Sequence, residues 1–249
     1  MVEIESGFAK FKSAMMKAVM PFIEAVHRDK KQREAFREIL GNILFDTPGP
    51  RYLEMDIPAT ERALYRLFFG LGEIEECVEV LREIPFYMRR FPPKEFKVSR
   101  TRFLRYHIGN YLNEVYILRE RLKAYHKIVQ RVYRHHPHVL ERLGPQVQKL
   151  EEIVDSFEQI VKVRGVHVHQ RRHEDEEVDQ LILLEILAEE ESVSGVLYPI
   201  ALRKARRKWI QAIEENLRAV NSVLDAYFEI LYSVVFDEKG NWILPYLAT

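Results

Sequence analysis

Apolar side chains recur at intervals of three and four residues along most of the chain, a spacing typical of helices that bury one face. The clearest run follows Ser99, a residue type that commonly caps the N-terminus of a helix. Its apolar positions alternate in steps of four and three without a break: Leu104, Ile108, Tyr111, Val115, Leu118, Leu122, Tyr125, Val129 and Val132. The pattern predicts one long helix with a narrow apolar stripe.

The same alternation restarts after His135-His136-Pro137 and predicts a second long helix. Its stripe consists of Leu140, Leu143, Val147, Leu150, Val154, Phe157 and Val161. Because the connection is short, we expect this helix to run antiparallel to the first, with the two stripes facing each other.

The remaining pattern predicts further helices. A third long helix covers Pro199 to Phe236, and a shorter amphipathic segment, Glu176 to about Glu190, precedes it. Upstream, we expect Pro21 to split the first helical stretch, and Pro58 to Ile84 to form a helix loosened by glycines. A small hairpin is expected around residues 239–241.

These elements predict an all-α protein, and the scarcity of glycine, 10 in 249 residues, agrees with that fold class. An apolar content of 47% is enough for a sizeable core. The Pro-rich stretch PFYMRRFPPKEFKVS is expected to separate two parts. Residues 1–98 would form an N-terminal helical extension, and residues 99–249 a bundle of long helices.

Overall charge does not identify a partner, because 38 Lys and Arg balance 38 Asp and Glu. The single cysteine, Cys77, cannot form an internal disulfide and is expected to be a buried small apolar residue. No apolar run is long enough to span a bilayer, and the N-terminus lacks an apolar signal core. We therefore expect a cytoplasmic protein with no membrane partner.

The stretch VRGVHVHQRRH, residues 163–173, concentrates three histidines and three arginines at the end of the second helical pattern. The next stripe position after Val161 is Arg164. A guanidinium on a packing face needs a carboxylate, water or an anionic ligand, because burying it unpaired costs several kcal/mol. Arg164 is therefore either a structural ion pair or an anion-binding residue. If the helix continues, Arg164 and His167 share a face; if the chain is extended after Gly165, His167 and His169 do.

This stretch resembles the motif of the HEPN superfamily, an Arg followed four to six residues later by a His, in the form Arg164-Gly-Val-His-Val-His169. The upstream segment FLRYHIGNYLNEVYILRERL also resembles the first HEPN helix, so the resemblance covers about residues 99–190. The bare Arg-x4-His spacing occurs four times in this chain and is not specific by itself. The weight comes from the long helical patterns that precede Arg164.

The resemblance implies a helical bundle of HEPN type that forms a homodimer and binds RNA or nucleotides, with no cofactor. Many such proteins are metal-independent ribonucleases of defence or toxin-antitoxin systems, so an antitoxin-like protein partner is also implied. Arg164 would stabilise the charge on the phosphorus centre, and His169 would act as acid or base. The neighbouring phosphates would be held by His167, Arg171, Arg172 and His173.

A metal site is the less favoured chemistry for these histidines. His169 and His173, with His167 or Asp175, have the spacing of zinc ligands if the segment is helical. Metal-binding bundles usually take ligands from several helices, however, and the chain contains a single Glu-x-x-His, Glu24 to His27. We therefore predict no metal.

Two further features have alternative interpretations. The segment LRKARRKW, residues 202–209, is either an RNA-binding stripe beside an aromatic platform or a solvated face balanced by Glu189-Glu190-Glu191, which we favour. Core or dimer packing explains a row of tyrosines more simply than base stacking does: Tyr106, Tyr111, Tyr116, Tyr125 and Tyr133. The competing functional class is a non-catalytic helical module for protein interaction.

Overall fold

The computed structural model describes residues 6–31, 33–34, 37–38, 42, 47–49, 59–90, 98–158, 176–188 and 194–245. The protein is all-α, as predicted. Within the described residues the helices are α1 (Gly7–Arg28), α2 (Ala59–Arg89), α3 (Arg100–Val132), α4 (Pro137–Asp155), α5 (Glu176–Ala188) and α6 (Ser194–Val235).

Helix α3 confirms the prediction made from its apolar stripe. All nine stripe residues, from Leu104 to Val132, are buried. Ser99 caps the helix, since its Oγ accepts a hydrogen bond from the backbone N–H of Arg102 at 3.1 Å. The helix therefore begins where the capping residue and the first apolar positions indicate.

Helix α4 folds back against α3, as the short connection predicts. His136 is buried at the turn, and its Nδ1 accepts a hydrogen bond from the N–H of Val139 at 3.3 Å. Asp155, the last residue of α4, accepts a hydrogen bond from Arg119 of α3 at 2.9 Å. Of the predicted α4 stripe, Leu140 is exposed, whereas Leu143, Leu150, Val154 and Phe157 are buried.

The predicted continuation of this helix through Val161 is wrong, because α4 ends at Asp155. The hydroxyl of Ser156 donates a hydrogen bond to the carbonyl of Ile153 at 2.6 Å, and the N–H of Phe157 bonds three residues back to Val154. These contacts replace the four-residue bonds of an α-helix and terminate it.

Proline does not end helices in this protein where the sequence predicts it to. Pro21 lies inside α1, which continues to Arg28. Pro21 and Lys17, whose carbonyl loses its helical partner, are both exposed to water, so the carbonyl can be hydrated. Helix α2 similarly passes through Pro85 and ends at Arg89, because its buried stripe extends to Met88.

Helix α6 begins five residues before the predicted start, at Ser194, and Pro199 lies within it. Of its predicted stripe Leu217 is half-buried, and the other positions are buried: Ile210, Ile213, Val220, Leu224, Tyr227, Phe228, Leu231 and Val235. The predicted hairpin follows directly. Phe236 pairs with Trp242 in an antiparallel bridge, and Gly240 adopts a φ of 76°, which favours glycine at this turn.

The chain divides into two compact units, and α2, α3, α4 and α6 each contribute residues to both. Unit 1 comprises Met1–Leu71, Tyr125–Val147 and Tyr227–Thr249. Its core contains a cluster of packed aromatic rings: Phe8, Phe11, Tyr125, Phe228 and Phe236. Residues 91–97, in the predicted boundary between an extension and a bundle, lie outside the described residues, and that boundary stays a prediction.

Unit 2 comprises Gly72–Ala124 and Gln148–Ala226. Polar contacts join its helices around the apolar core. Arg89 of α2 pairs with Glu214 of α6, and Arg105 of α3 pairs with Asp179 of α5. Asn216 of α6 donates a hydrogen bond to the buried hydroxyl of Tyr111 at 2.9 Å. Because each contact joins side chains of two different helices, these pairs help to fix how the helices pack against each other.

Candidate functional site

The six site residues predicted from the sequence all lie outside the described residues, within 159–175: Arg164, His169, His167, Arg171, Arg172 and His173. Arg164 follows the end of α4 by nine residues in sequence. The prediction that Arg164 continues the apolar stripe of α4 requires one uninterrupted helix. That requirement is not met, because α4 ends at Asp155. The roles assigned to these six residues stay predictions.

In the other three Arg-x4-His pairs the histidine is buried in the protein interior. His107, His126 and His136 are all buried. Arg121, which precedes His126, pairs with Glu73. A buried imidazole cannot reach a dissolved polymer, so these pairs are excluded as RNA-cleaving sites in the described part of the chain. The pair Arg164 and His169 is the one that remains.

A row of four cations lies on the outer face of α6. This cationic row consists of Arg203, Lys204, Arg207 and Lys208. Together with Ile200, Gln211, Ala212 and Glu215, these residues line a groove of about 640 Å³. Their spacing, in pairs four residues apart, places them on one side of the helix, while Leu202, Ala205 and Ile213 are buried on the other. The row therefore faces solvent over two helical turns.

The electrostatics of this face favour an anionic ligand. Helix α6 contains no acidic residue before Glu214. Arg203 bonds through Nε to the carbonyl of Pro199, and neither Arg203 nor Arg207 forms a salt bridge with a carboxylate among the described residues. Both guanidinium groups can therefore bind phosphate oxygens without first breaking such an ion pair. Glu189-Glu190-Glu191, the predicted acidic neighbours, lie outside the described residues, so that pairing stays a prediction.

The aromatic platform that the less favoured interpretation placed beside these cations is not part of the groove. Trp209 is half-buried and is absent from the described lining, which follows from its position on the core-facing side of α6. The sequence places Trp209 next to the basic residues, but a helix rotates neighbouring residues about 100° apart. The cationic row therefore offers charge without aromatic stacking.

Aromatic rings do cluster on the surface elsewhere in unit 2, where the end of α2 meets the start of α3. This aromatic cluster consists of Phe86, Tyr87, Phe103, Tyr106 and His107. His107 is at its centre: its ring lies 4.5 Å from that of Phe103, 5.2 Å from Tyr106 and 5.9 Å from Tyr87. Burial lowers the pKa of His107 below its ordinary value, which favours the neutral imidazole.

The sequence did not predict this cluster. Tyr106 is mostly exposed, so it is not a core residue and dimer packing stays a prediction for it, whereas Tyr111, Tyr125 and Tyr133 are buried as expected. One signal was available: Tyr106 is off the α3 stripe, so its ring must point away from the core. Its pairing with residues of α2 depends on how the two helices pack, which the stripe alone does not determine.

Cys77 is buried, as predicted. Burial raises the pKa of its thiol, although Arg121 acts in the opposite direction. A thiol in this state is a poor nucleophile and a poor metal ligand. Among the described residues, no group of three or more His, Cys, Asp or Glu side chains is placed to bind a metal ion.

Comparison of the chain with protein-family models, with curated proteins and with solved structures finds no match. None of the helices in the described ranges is both long and apolar enough to cross a membrane. The function is therefore inferred from the chemistry of the chain's own residues.

Proposed function

We propose that the protein is an HEPN-like RNA-binding protein that cleaves RNA without a metal ion. The observation that carries the RNA-binding part is the cationic row on α6, which combines four positive side chains with a solvent-facing groove. The RGVHVH motif at residues 164–169 carries the cleavage part, through its resemblance to HEPN proteins. The all-α fold with long antiparallel helices supports both.

In the binding step, Arg203, Lys204, Arg207 and Lys208 neutralise phosphates of the RNA backbone. Residues four apart on a helix are separated by about 6 Å along its axis. Arg203 with Lys204 can therefore contact one phosphate, and Arg207 with Lys208 the next. Such contacts release counterions and do not depend on base sequence. Binding is therefore expected to be strong at low salt and to weaken steeply as salt is added.

In the cleavage step, His169 removes the proton from a ribose 2′-hydroxyl, and the resulting oxygen attacks the adjacent phosphorus. The bond from phosphorus to the 5′-oxygen breaks, and that oxygen takes a proton from water, which leaves a 2′,3′-cyclic phosphate and a 5′-hydroxyl. Arg164 stabilises the extra negative charge on the phosphorane, and His167, Arg171, Arg172 and His173 hold the flanking phosphates. A histidine suits this role because its ordinary pKa is about 6.5, close to neutral pH.

The cleavage test incubates the purified protein with mixed RNA in excess EDTA. We expect cleavage by the wild type and loss of cleavage in both Arg164→Ala and His169→Ala. The matched controls are Arg142→Ala and His138→Ala, an exposed Arg and an exposed His on α4. Equal loss in the controls, or loss of wild-type cleavage on adding EDTA, would contradict the proposal.

An interaction module is the second candidate, and one observation favours it. Several aliphatic side chains are exposed at the end of α5 and the start of α6: Leu183, Ile186, Leu187, Val196, Leu197 and Ile200. Exposed aliphatic groups in such number typically mark a protein-binding surface. A wild-type protein that neither binds nor cleaves RNA would favour this function over the first.

A further inference from the structure

Three exposed aromatic side chains belong to the aromatic cluster of unit 2. Phe86 is 46% exposed, Tyr87 44% and Tyr106 67%. They are linked through ring contacts: Phe86 lies 5.7 Å from Tyr87, and both Tyr87 and Tyr106 contact His107. A connected set of exposed aromatic rings is costly in water and typically marks a binding surface.

The geometry of the cluster is fixed by its own contacts. The hydroxyl of Tyr87 donates a hydrogen bond to Glu83 at 3.0 Å, and the ring of Tyr87 stacks on His107 with an interplanar angle of 14°. The guanidinium carbon of Arg90 lies 4.3 Å from the centre of the Phe86 ring. Side chains held in place before a ligand arrives lose less conformational entropy when it binds.

Positive charge flanks these rings. Arg90 and Arg102 are both exposed, and neither forms a salt bridge with a carboxylate in the described ranges. Arg102 lies one helical turn before Tyr106, on the same side of α3. Aromatic faces beside guanidinium groups that form no salt bridge are the chemistry by which proteins bind single-stranded nucleic acid, since bases stack on the rings and phosphates pair with the cations.

We propose that the aromatic cluster binds unpaired bases of single-stranded RNA by stacking on Phe86 and Tyr106. This inference rests on the proposed function, in which RNA is the ligand, and it adds the substrate class. Duplex RNA does not fit, because its bases are stacked on each other and unavailable to protein rings. The exposed aliphatic side chains of α5 and α6 offer no such stacking faces.

The test measures binding of a short fluorescein-labelled 2′-O-methyl oligoadenylate by anisotropy, beside an abasic oligomer of equal length. The methyl group blocks cleavage, and the abasic oligomer keeps the phosphates but lacks the bases. We expect the wild type to bind the oligoadenylate at least about tenfold more tightly than the abasic oligomer, given the usual strength of base stacking. Phe86→Leu and Tyr106→Leu should each weaken oligoadenylate binding about five- to tenfold and leave abasic binding unchanged.

Phe69→Leu is the matched control, because Phe69 is an exposed aromatic residue, 64% accessible, that belongs to unit 1. It should bind both oligomers as the wild type does, and thermal unfolding should show that all variants fold. Equal wild-type affinity for the two oligomers, or unchanged binding by Tyr106→Leu and Phe86→Leu, overturns this inference while RNA binding itself stands. Binding to neither oligomer would overturn the RNA proposal as well and assign the cluster to a protein contact.

Discussion

Glu185 of α5 accepts a hydrogen bond at 2.7 Å from Ser99, the residue that caps α3. The other oxygen of the same carboxylate accepts a hydrogen bond from the hydroxyl of Tyr198 in α6, also at 2.7 Å. Burial opposes ionisation of Glu185, but hydrogen bonds from Ser99, Tyr198 and Thr101 outweigh it and hold its pKa below the ordinary value. One carboxylate therefore joins three helices of unit 2 at the N-terminus of α3, where the helix dipole also favours a negative charge.

Glu185→Ala is expected to lower the free energy of unfolding by about 1–3 kcal/mol, because it leaves the Ser99 and Tyr198 hydroxyls without their acceptor. Ser99→Ala removes the N-terminal cap of α3, and loss of the cap should lower the free energy of unfolding by about 1 kcal/mol. Urea unfolding followed by circular dichroism measures both. Ser233→Ala, which alters an exposed serine that bonds its own helix backbone, is the control and should change little.

The contribution of Glu185 also depends on pH. Its folded pKa is lowered, so the unfolded chain binds a proton more readily at acidic pH. The stabilisation is fully present above the ordinary pKa of 4.5 and is lost as pH falls through the folded value. Wild type and Glu185→Gln should therefore differ in stability at neutral pH and converge on acidification. A difference that grows on acidification would contradict this account.

Local periodicity predicted α3 from Ser99 to Val132 correctly because its burial follows a simple repeat. It failed at Pro21, beyond which the ring of Phe22 packs on Tyr65, and at Pro85, beyond which Met88 is buried. It failed again after Asp155, where the hydroxyl of Ser156 competes for the backbone. In each case the point where the helix continues or ends depends on tertiary packing or on one side chain. The spacing of apolar residues along the sequence contains neither kind of information.

Two glycines of α2 offer a paired test of packing. A methyl group at Gly70 would lie 2.9 Å from Cδ2 of the buried Tyr125, whereas a methyl group at Gly72 would have no neighbour within 4 Å. Gly72→Ala should therefore stabilise the protein by about 0.5–1 kcal/mol through helix propensity alone. Gly70→Ala gains the same propensity but must displace the Tyr125 ring, at a cost of about 1–3 kcal/mol.

Gly70→Ala should accordingly be less stable than Gly72→Ala by at least about 1 kcal/mol in urea unfolding. Equal stability of the two variants would show that Tyr125 moves aside freely. The sequence predicted that both glycines loosen α2. The structure distinguishes them, since Gly70 permits a close approach to Tyr125 that Gly72 does not share.

Cys77 should resist thiol reagents in the folded protein, because it is buried and burial raises the pKa of its thiol. Modification by a colorimetric disulfide reagent is expected to be limited by opening of the structure and not by thiol chemistry. In denaturant, the chain's single cysteine should react rapidly and to completion. Fast reaction in native buffer would contradict the buried position and would make Cys77 a candidate reactive site.

The candidate RNA surface could be predicted only in part, because charge was visible in the sequence and its placement was not. The segment LRKARRKW indicated cations, but the helix puts Trp209 on the other side of α6. The stacking of Tyr87 on His107 joins residues 20 positions apart and depends on the packing of α2 against α3. Arg164 and His169 lie outside the described residues, so their roles rest on the motif alone.

The cationic row leads to a prediction about salt dependence. Reversing two of its charges, in Arg203→Glu with Arg207→Glu, removes two phosphate contacts from the proposed interface. Each lost contact should make the slope of log affinity against log salt concentration shallower by about 0.7 for single-stranded RNA, so the double variant should lose about 1.4 in all. Affinity at low salt should fall by tenfold or more, as measured by anisotropy with the 2′-O-methyl oligoadenylate.

Arg66→Glu with Arg142→Glu reverses two exposed charges on α2 and α4 and is the matched control. An equal change of slope in both double variants would indicate a response to net charge and not a phosphate-binding row on α6.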